Sequence, residues 1–397
     1  MSKYRGFIIS DIHVGAMDLD KLHNEYLRLF INHIKEIDKL DFVIITGDFF
    51  DHKFYLNDKE AIMAYLMLKE LLLACKEKNA VVRIVYGTES HENNQYDILS
   101  LIKIYDNIEV IKTVKSEELL PDLHILYLPE EHILSKEEYY HDYFLEPKKY
   151  DFVFGHGVIR EAMKEAALHM SNSKNSKRKS VPIFTSGELS RICSGQVFFG
   201  HYHIHTNIDD KVFYVGSFSR WQFGEEEDKG YYDITYNTKN HHSSLTYIKN
   251  TLCDTYQTIK YGYQSDIFDN EETMNQTFQR MDNLIENNTF NHLRFIINIP
   301  SDAKNPESKI NYLRERYKFN ENIKVETVNG YVEEQRQRKK EQIEEDNKKY
   351  NFIFDNNLPI EEKISRYIAV EYNKDIPAEK ISGYILLGLN EIINKEK

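Results

Sequence analysis

Four short motifs in the first half of the chain carry the residue types that bind divalent cations. They are Asp11-Ile12-His13, Gly47-Asp48-Phe49-Phe50-Asp51, Gly155-His156 and Gly200-His201-Tyr202-His203. Carboxylate and imidazole suit hard-to-borderline metals, and two such ions held close together need one shared anionic ligand. Asp48 is the choice for that bridge, because Gly47 before it lets the backbone turn sharply. Asp11 and His13 are two residues apart, so on extended backbone they share a face and would hold the first ion. His201 and His203 repeat the spacing and could serve one ion each. His156 would complete the second. Any one of these motifs alone is more often a turn with a solvated side chain. Four in this order, each carrying Asp or His, point to a metal site and to metal-assisted hydrolysis.

Each motif follows a short apolar run: Gly6-Phe7-Ile8-Ile9, Phe42-Val43-Ile44-Ile45, Phe152-Val153-Phe154 and Val197-Phe198-Phe199. Such runs bounded by glycine read as buried strands. Ligands that follow strands gather at one edge of a sheet, where an α/β protein places its chemistry. The pattern predicts strands near 5–10, 41–46, 80–86, 107–111 and 123–128, with helices near 20–38 and 58–78. This alternation argues for a largely parallel sheet. From residue 196 strands linked by turns (196–200, 212–215, 230–236 and 244–248) suggest an antiparallel sheet layered on the first. Thr185 and Glu188 fit a capping box opening a short helix.

The expected fold class is therefore α/β, a two-layered β-sandwich flanked by helices over residues 1–250. Residues 251–330 read as a small α+β domain, with helices near 271–288 and 306–316 and strands at 293–297 and 322–328. The charge-dominated stretch 331–357 reads as a linker. Residues 358–397 read as a helical tail broken near Pro377, with Ile364, Ile368, Ile381, Ile385, Leu389 and Ile392 at helical spacing.

The chain has 397 residues, 41% hydrophobic and 29% charged, with a net charge of -13. That balance argues against charge-driven binding of a polyanion by the bulk surface. It leaves room for a nucleic-acid substrate, since bound cations dominate the local field of such a site. No stretch approaches the roughly 20 apolar residues of a membrane span. Cys75, Cys193 and Cys253 are too scattered for a disulfide frame or a zinc clip, and a cytoplasmic location is expected. Lys174, Lys177, Arg178 and Lys179 lie in a polar, low-complexity loop and are candidates for phosphate contact, with a solvated loop as the alternative.

On these motifs the chain resembles the calcineurin-like metallophosphoesterases. Within that family it is most similar to double-strand-break repair nucleases of the SbcD type. The second likeness rests on Tyr214-Val215-Gly216-Ser217-Phe218-Ser219-Arg220, Phe223-Gly224-Glu225 and Lys229-Gly230, a run that resembles the segment closing the nuclease domain. The resemblance implies a metallophosphoesterase fold in which Asp11, His13, Asp48 and His203 hold one metal and Asp48, His156 and His201 the other, with Mn2+ as the ion. It implies that the small domain caps the site and positions DNA. It also implies that the tail helices grip an SMC-like ATPase subunit of the SbcC type, that the protein forms a homodimer, and that no membrane is involved.

The family has Gly-Asn-His and an acid after the third strand, with Asn on the second metal and His beside the scissile phosphate. Here Gly87-Thr88-Glu89-Ser90-His91-Glu92 follows that strand. His91 fits the phosphate-facing acid, able to protonate the departing sugar oxygen. Ser90 takes the Asn slot if two residues are inserted, and Thr88 or Glu89 are alternative donors. Asp51 matches a second family carboxylate, as ligand or as structural group. His52 could meet substrate or simply be exposed. The leading expectation is a DNA exo- and endonuclease. Its rivals are a small-molecule phosphoesterase and a weakened scaffold subunit that tethers the ATPase to DNA.

Overall fold

The computed structural model describes residues 3–55, 57–101, 106–163, 180–261, 267–268, 270–287, 289–299, 304–318, 320, 323–329, 358–372, 377 and 380. Lys174, Lys177, Arg178 and Lys179, the linker expected over 331–357 and most of the second tail helix lie outside these residues. The chain divides into two units, Met1–Gln257 with Thr289–His292, and Thr258–Asn288 with Leu293–Lys397.

The first unit is of the α/β class. Its elements begin with β1 (Lys3–Ile9), α1 (Leu19–Glu25), a π-helical stretch (Tyr26–Ile31) and α2 (Asn32–Glu36). Then come β2 (Phe42–Ile45), α3 (Lys59–Lys78), β3 (Val81–Val85), α4 (Glu89–Glu92), β4 (Ile108–Ile111), β5 (Lys115–Leu120) and β6 (Leu123–Leu128). The series continues through α5 (Lys136–Tyr139), β7 (Tyr150–His156), β8 (Val158–Ile159), β9 (Ile183–Phe184), α6 (Ser186–Ile192) and β10 (Cys193–Gly200). It ends with β11 (Thr206–Asn207), β12 (Val212–Tyr214), β13 (Gly230–Asn237), β14 (His242–Lys249) and the start of β15 (Tyr256–Tyr261).

Two six-stranded sheets result, ordered β14-β13-β1-β2-β3-β4 and β11-β12-β10-β7-β6-β5. In the first, β1 to β4 are parallel. In the second, β12, β10, β7 and β6 are parallel, with β11 and β5 as antiparallel edges. Ile8, Phe42 and Ile44 of one sheet and Phe152, Phe154 and Phe198 of the other share one buried cluster. The sheets therefore pack face to face, and each of these fully buried rings contributes roughly 2 kcal/mol of hydrophobic stabilisation. The outer face of the first sheet is covered by α1, the π-helical stretch and α3. The outer face of the second is covered by residues of α6 and the Tyr140 region. Buried on both sides, the central strands need continuous apolar runs rather than alternation, which is why the four runs are so uniform.

The elements beyond residue 196 do not form one antiparallel sheet. β10 and β12 are parallel strands of the second sheet, while the hairpin β13–β14 returns to the first, where β13 runs antiparallel to β1. The helix expected over 20–38 is interrupted by its π-helical stretch. Asp18 caps α1 by accepting from Lys21 N at 2.9 Å, and Asn79 ends α3 at φ 56° in the left-handed form. Thr185 caps α6, accepting from Glu188 N at 3.2 Å.

In the second unit β15, β16 (His292–Ile299) and β17 (Ile323–Asn329) form a three-stranded sheet, with β16 and β17 parallel. Leu293, Phe295, Ile297 and Ile299 alternate inward on β16. Phe278 and Met281 of α7 (Glu271–Glu286) and Leu313 and Tyr317 of α8 (Pro306–Tyr317) complete its core. Helix α9 (Ile360–Tyr372) follows. Among the described residues no helix is long and apolar enough to cross a membrane.

Candidate metal centre

Strand register brings the motifs together. Pairing of Ile9 with Ile45 sets the chain after β1 beside the chain after β2. Asp11 N then donates to Gly47 O at 3.1 Å and His13 N to Asp48 O at 3.1 Å. Pairing of Gly200 with His156 does the same for β10 and β7 in the second sheet. The two sheets converge at this edge: His201 N donates to Asp11 Oδ1 at 3.0 Å, and His156 Nδ1 meets Thr46 O at 2.8 Å.

The backbone is bent to do this. Asp11, His13, Asp48 and His201 all have positive φ, at 47°, 49°, 50° and 100°. Non-glycine residues held there cost of order 1–3 kcal/mol each and cluster at functional sites. Asp11 and His13 are thus not on extended backbone, and a left-handed turn, not strand alternation, brings them together. Gly47 and Gly87 are required by close approach. A Cβ on Gly47 would strike the His156 ring, and one on Gly87 would strike the Asp48 carboxylate.

The ligand candidates form two adjoining trios, Asp11–His13–His203 and Asp48–His156–His201, whose donor atoms lie within 4.8 Å of one another inside each trio. Asp48 stands between them. Its Oδ2 is 3.2 Å from His156 Nε2 and 3.8 Å from His13 Nε2, while its Oδ1 accepts from Thr88 N at 2.7 Å. His13 also comes together with Asp51 and His91. The His91 ring is 4.9 Å from that of His13, edge-on, and its Nδ1 hydrogen-bonds the Asp51 carbonyl.

These residues fit a cation. Both ring nitrogens of His13 are buried without a hydrogen-bond partner, although Nδ1 lies 3.3 Å from Asp51 Oδ1. A buried donor or acceptor left so needs a partner, and among these carboxylates and imidazoles a cation can be that partner. His156, with Nδ1 on Thr46 O, turns Nε2 to Asp48. His203, with Nδ1 3.1 Å from Glu225 Oε1, has its Nε2 left for a metal. Such outer partners orient metal-binding imidazoles.

Electrostatics separate the histidines. Burial would lower the His156 pKa, but the Asp48 carboxylate overrides it and pushes the ring up to about 10. Burial, with His156 beside it, lowers His201 to about 4. Asp48 is depressed in spite of burial, chiefly by the His156 charge. Burial and the charge of Asp48 push Glu92 up to about 8. Glu92 Oε1 accepts from Phe49 N at 3.1 Å and so pins the chain just past Asp48.

The other expected residues fall as follows. Ser90 is exposed on α4 and makes none of these contacts, because α4 starts at Glu89 and turns it outward. Thr88, one residue before that helix, lies at the centre, its Oγ1 3.4 Å from His156 Nε2. His52 is exposed, with Nδ1 3.0 Å from Asp51 Oδ2.

Sequence reasoning missed the buttress behind His203. The run 214–230 packs there: Lys229, almost fully buried, donates to His203 O at 2.7 Å, and Glu225 Oε2 accepts from Trp221 N at 3.2 Å. Trp221, the only tryptophan of the chain, is half-buried with its ring 5.0 Å from His13 and 4.9 Å from His203. Glu225 and Lys229 belonged to the motif that resembled a nuclease segment, but nothing in their spacing revealed this task.

Neither a protein-family model nor a curated protein sequence matches this chain. Solved structures do. One crystal structure aligns with 62% of this chain and 100% of its own length, at 13% identity and a TM-score of 0.33. A likeness that loose carries no argument about activity.

Proposed function

We propose that the first unit is a two-metal phosphodiesterase acting on DNA, the nuclease subunit of a complex with an SMC-like ATPase in recombination or repair. The observation that carries this reading is Asp48, which stands within 4.0 Å of a histidine in each of two adjoining ligand trios. When bound, a pair of divalent cations, Mn2+ by resemblance, polarises a phosphodiester and lowers the pKa of the attacking water. The chain's own residues prepare that chemistry. Thr46 and Glu225 fix the outward nitrogens of His156 and His203. His91, its Nδ1 committed to the Asp51 carbonyl, has the other nitrogen for a phosphate oxygen or for the leaving sugar oxygen.

DNA is favoured as substrate by the resemblance of the run 214–230 to a nuclease segment. The half-buried Trp221 ring beside the trios adds a face on which an unstacked base can rest. With a net charge of -13, cations at the centre are what would draw a polyanion in. The ATPase partner is assigned to the tail. Among residues 360–370 of α9 none is buried, and Ile364 and Ile368 lie one turn apart, as helix-in-groove docking requires.

The test is a Mn2+-dependent assay on linear DNA and on small phosphoesters, with wild type and His91→Ala. DNA degradation that falls about 10²- to 10⁴-fold with the substitution supports the proposal. Turnover of small phosphoesters alone makes the protein a different phosphoesterase. No turnover of either makes it a scaffold.

A further inference from the structure

Glu130 lies two residues past the end of β6, where its N–H donates to the Tyr86 carbonyl at 3.1 Å. Its side chain is only 6% exposed and faces the His156 half of the centre. Oε2 is 3.5 Å from His201 Nδ1 and 3.4 Å from Thr88 Oγ1, and that hydroxyl lies 3.4 Å from His156 Nε2. Among the described residues no lysine or arginine forms an ion pair with Glu130, and the basic groups nearest it are the candidate ligands His201 and His156. A carboxylate this buried carries a desolvation penalty of several kcal/mol that a positive charge beside it offsets. Such a group is expected where a cation is meant to sit beside it.

The rest of this half is short of donors. Asp48, His156 and His201 supply one carboxylate and two imidazoles. Thr88 beside them adds only a hydroxyl, 3.4 Å from His156 Nε2, a weaker donor than a carboxylate. Glu130 reaches the same spot from the opposite sheet, with Thr88 between it and His156.

We propose that Glu130 is a ligand of the second cation and that the Thr88 hydroxyl positions it. This rests on the two-metal reading above and extends it to a residue that no motif marks. The second site then has two carboxylates and two imidazoles. That richer oxygen set favours Mn2+ over softer ions.

The experiment titrates the full-length protein with Mn2+ alone, following free Mn2+ by electron paramagnetic resonance, for wild type, Glu130→Gln and Thr88→Val. Thermal melts without metal accompany the titrations. The expected result is two ions on wild type. Glu130→Gln keeps the first at unchanged affinity and binds the second at least tenfold more weakly, and Thr88→Val weakens the second a few-fold. The metal-free melt of Glu130→Gln checks that the variant is folded. Two ions at wild-type affinity on Glu130→Gln overturn the assignment. That result would also follow if Glu130 only accepted the His201 N–H, since the amide oxygen still can. Wild type that binds no ion overturns the two-metal reading itself. If Glu130→Gln fails to fold, a wild-type second-site affinity in Thr88→Val overturns the role of this pair.

Discussion

The two halves of the centre use the same donor types but are finished differently. Around His13 the supports are fixed groups. Ser10 Oγ donates to Asp11 Oδ2 at 2.6 Å, Glu225 holds His203, and buried Lys229 holds the His203 carbonyl. Around His156 only one imidazole has such a support, the Thr46 carbonyl. His201 is met by the Glu130 carboxylate at 3.5 Å, and the Thr88 hydroxyl lies 3.4 Å from His156 Nε2. One half is preorganised by the closing run 214–230, while the other has one backbone support and a buried carboxylate with no lysine or arginine paired to it. Affinity should therefore differ between the halves, and the second should be the sensitive one.

The largest effect should come from the residue common to both. Asp48→Asn removes the charge that faces His13 and His156, and several kcal/mol of charge stabilisation corresponds to a loss of about 10³-fold in Mn2+-dependent hydrolysis. Mn2+ titration should show both ions weakened. Weakening of one ion only would place Asp48 wholly in its own trio and end its role as the shared ligand.

Next in size is a pH effect on the second half. With its pKa raised to about 10, His156 carries a proton in the metal-free protein throughout the neutral range. A cation binding to Nε2 must displace that proton. Below the raised pKa, each unit fall in pH should cost about tenfold in second-site affinity, or about 100-fold between pH 8 and pH 6. His201, lowered to about 4, adds nothing in that window, because it is already neutral. Calorimetry in buffers of different ionisation enthalpy should count one proton released. No proton released would contradict the Asp48–His156 ion pair.

The sequence marked the side chains that cluster better than it marked the topology. Asp11, Asp48, His156 and His201 were legible because each lies at or just past the end of a buried apolar run. Which sheet each strand joins was not legible. Hairpin β13–β14 has local periodicity that suits either sheet, and only long-range pairing with β1 places it in the first. Strand β5, Lys-Ser-Glu-Glu-Leu-Leu, is an edge strand so charged that it shows no apolar signal. The backbone at Asp11 and His13 was misjudged for a related reason: positive φ at a non-glycine is imposed by neighbours such as Gly47 O, not by local preference. Glu130 gave no signal at all, since its partners lie more than forty residues before it or about seventy after it.

On the first half a smaller loss is expected from the support rather than from a ligand. Glu225→Gln keeps the shape of the side chain but removes the charge beside His203, whose pKa that carboxylate raises against burial. Loss of such an outer partner typically costs 10- to 100-fold in metal affinity. Trp221 reports it directly. As the only tryptophan, 4.9 Å from the His203 ring, it should be quenched as Mn2+ fills the first half. Glu225→Gln should move that quenching midpoint upward by about tenfold and leave the second ion in place. A shift of the second ion as well would mean that the closing run supports the whole centre, and the contrast between its halves would disappear.

The smallest effect, and the sharpest for the comparison, is a gain. Thr88→Asn puts an amide oxygen where a hydroxyl now lies 3.4 Å from His156 Nε2. The Thr88 N–H that donates to Asp48 at 2.7 Å is a backbone group and survives the change. The neighbouring carboxylate of Glu130 loses a hydroxyl partner and gains the amide N–H₂ of Asn. If the second half is limited by its donors, second-site affinity for Mn2+ should rise a few-fold, with the Trp221 midpoint of the first half unchanged. A fall instead would show that hydroxyl and carboxylate already act as one fitted pair. In that case the difference between the halves is one of donor chemistry, with no deficit on either side.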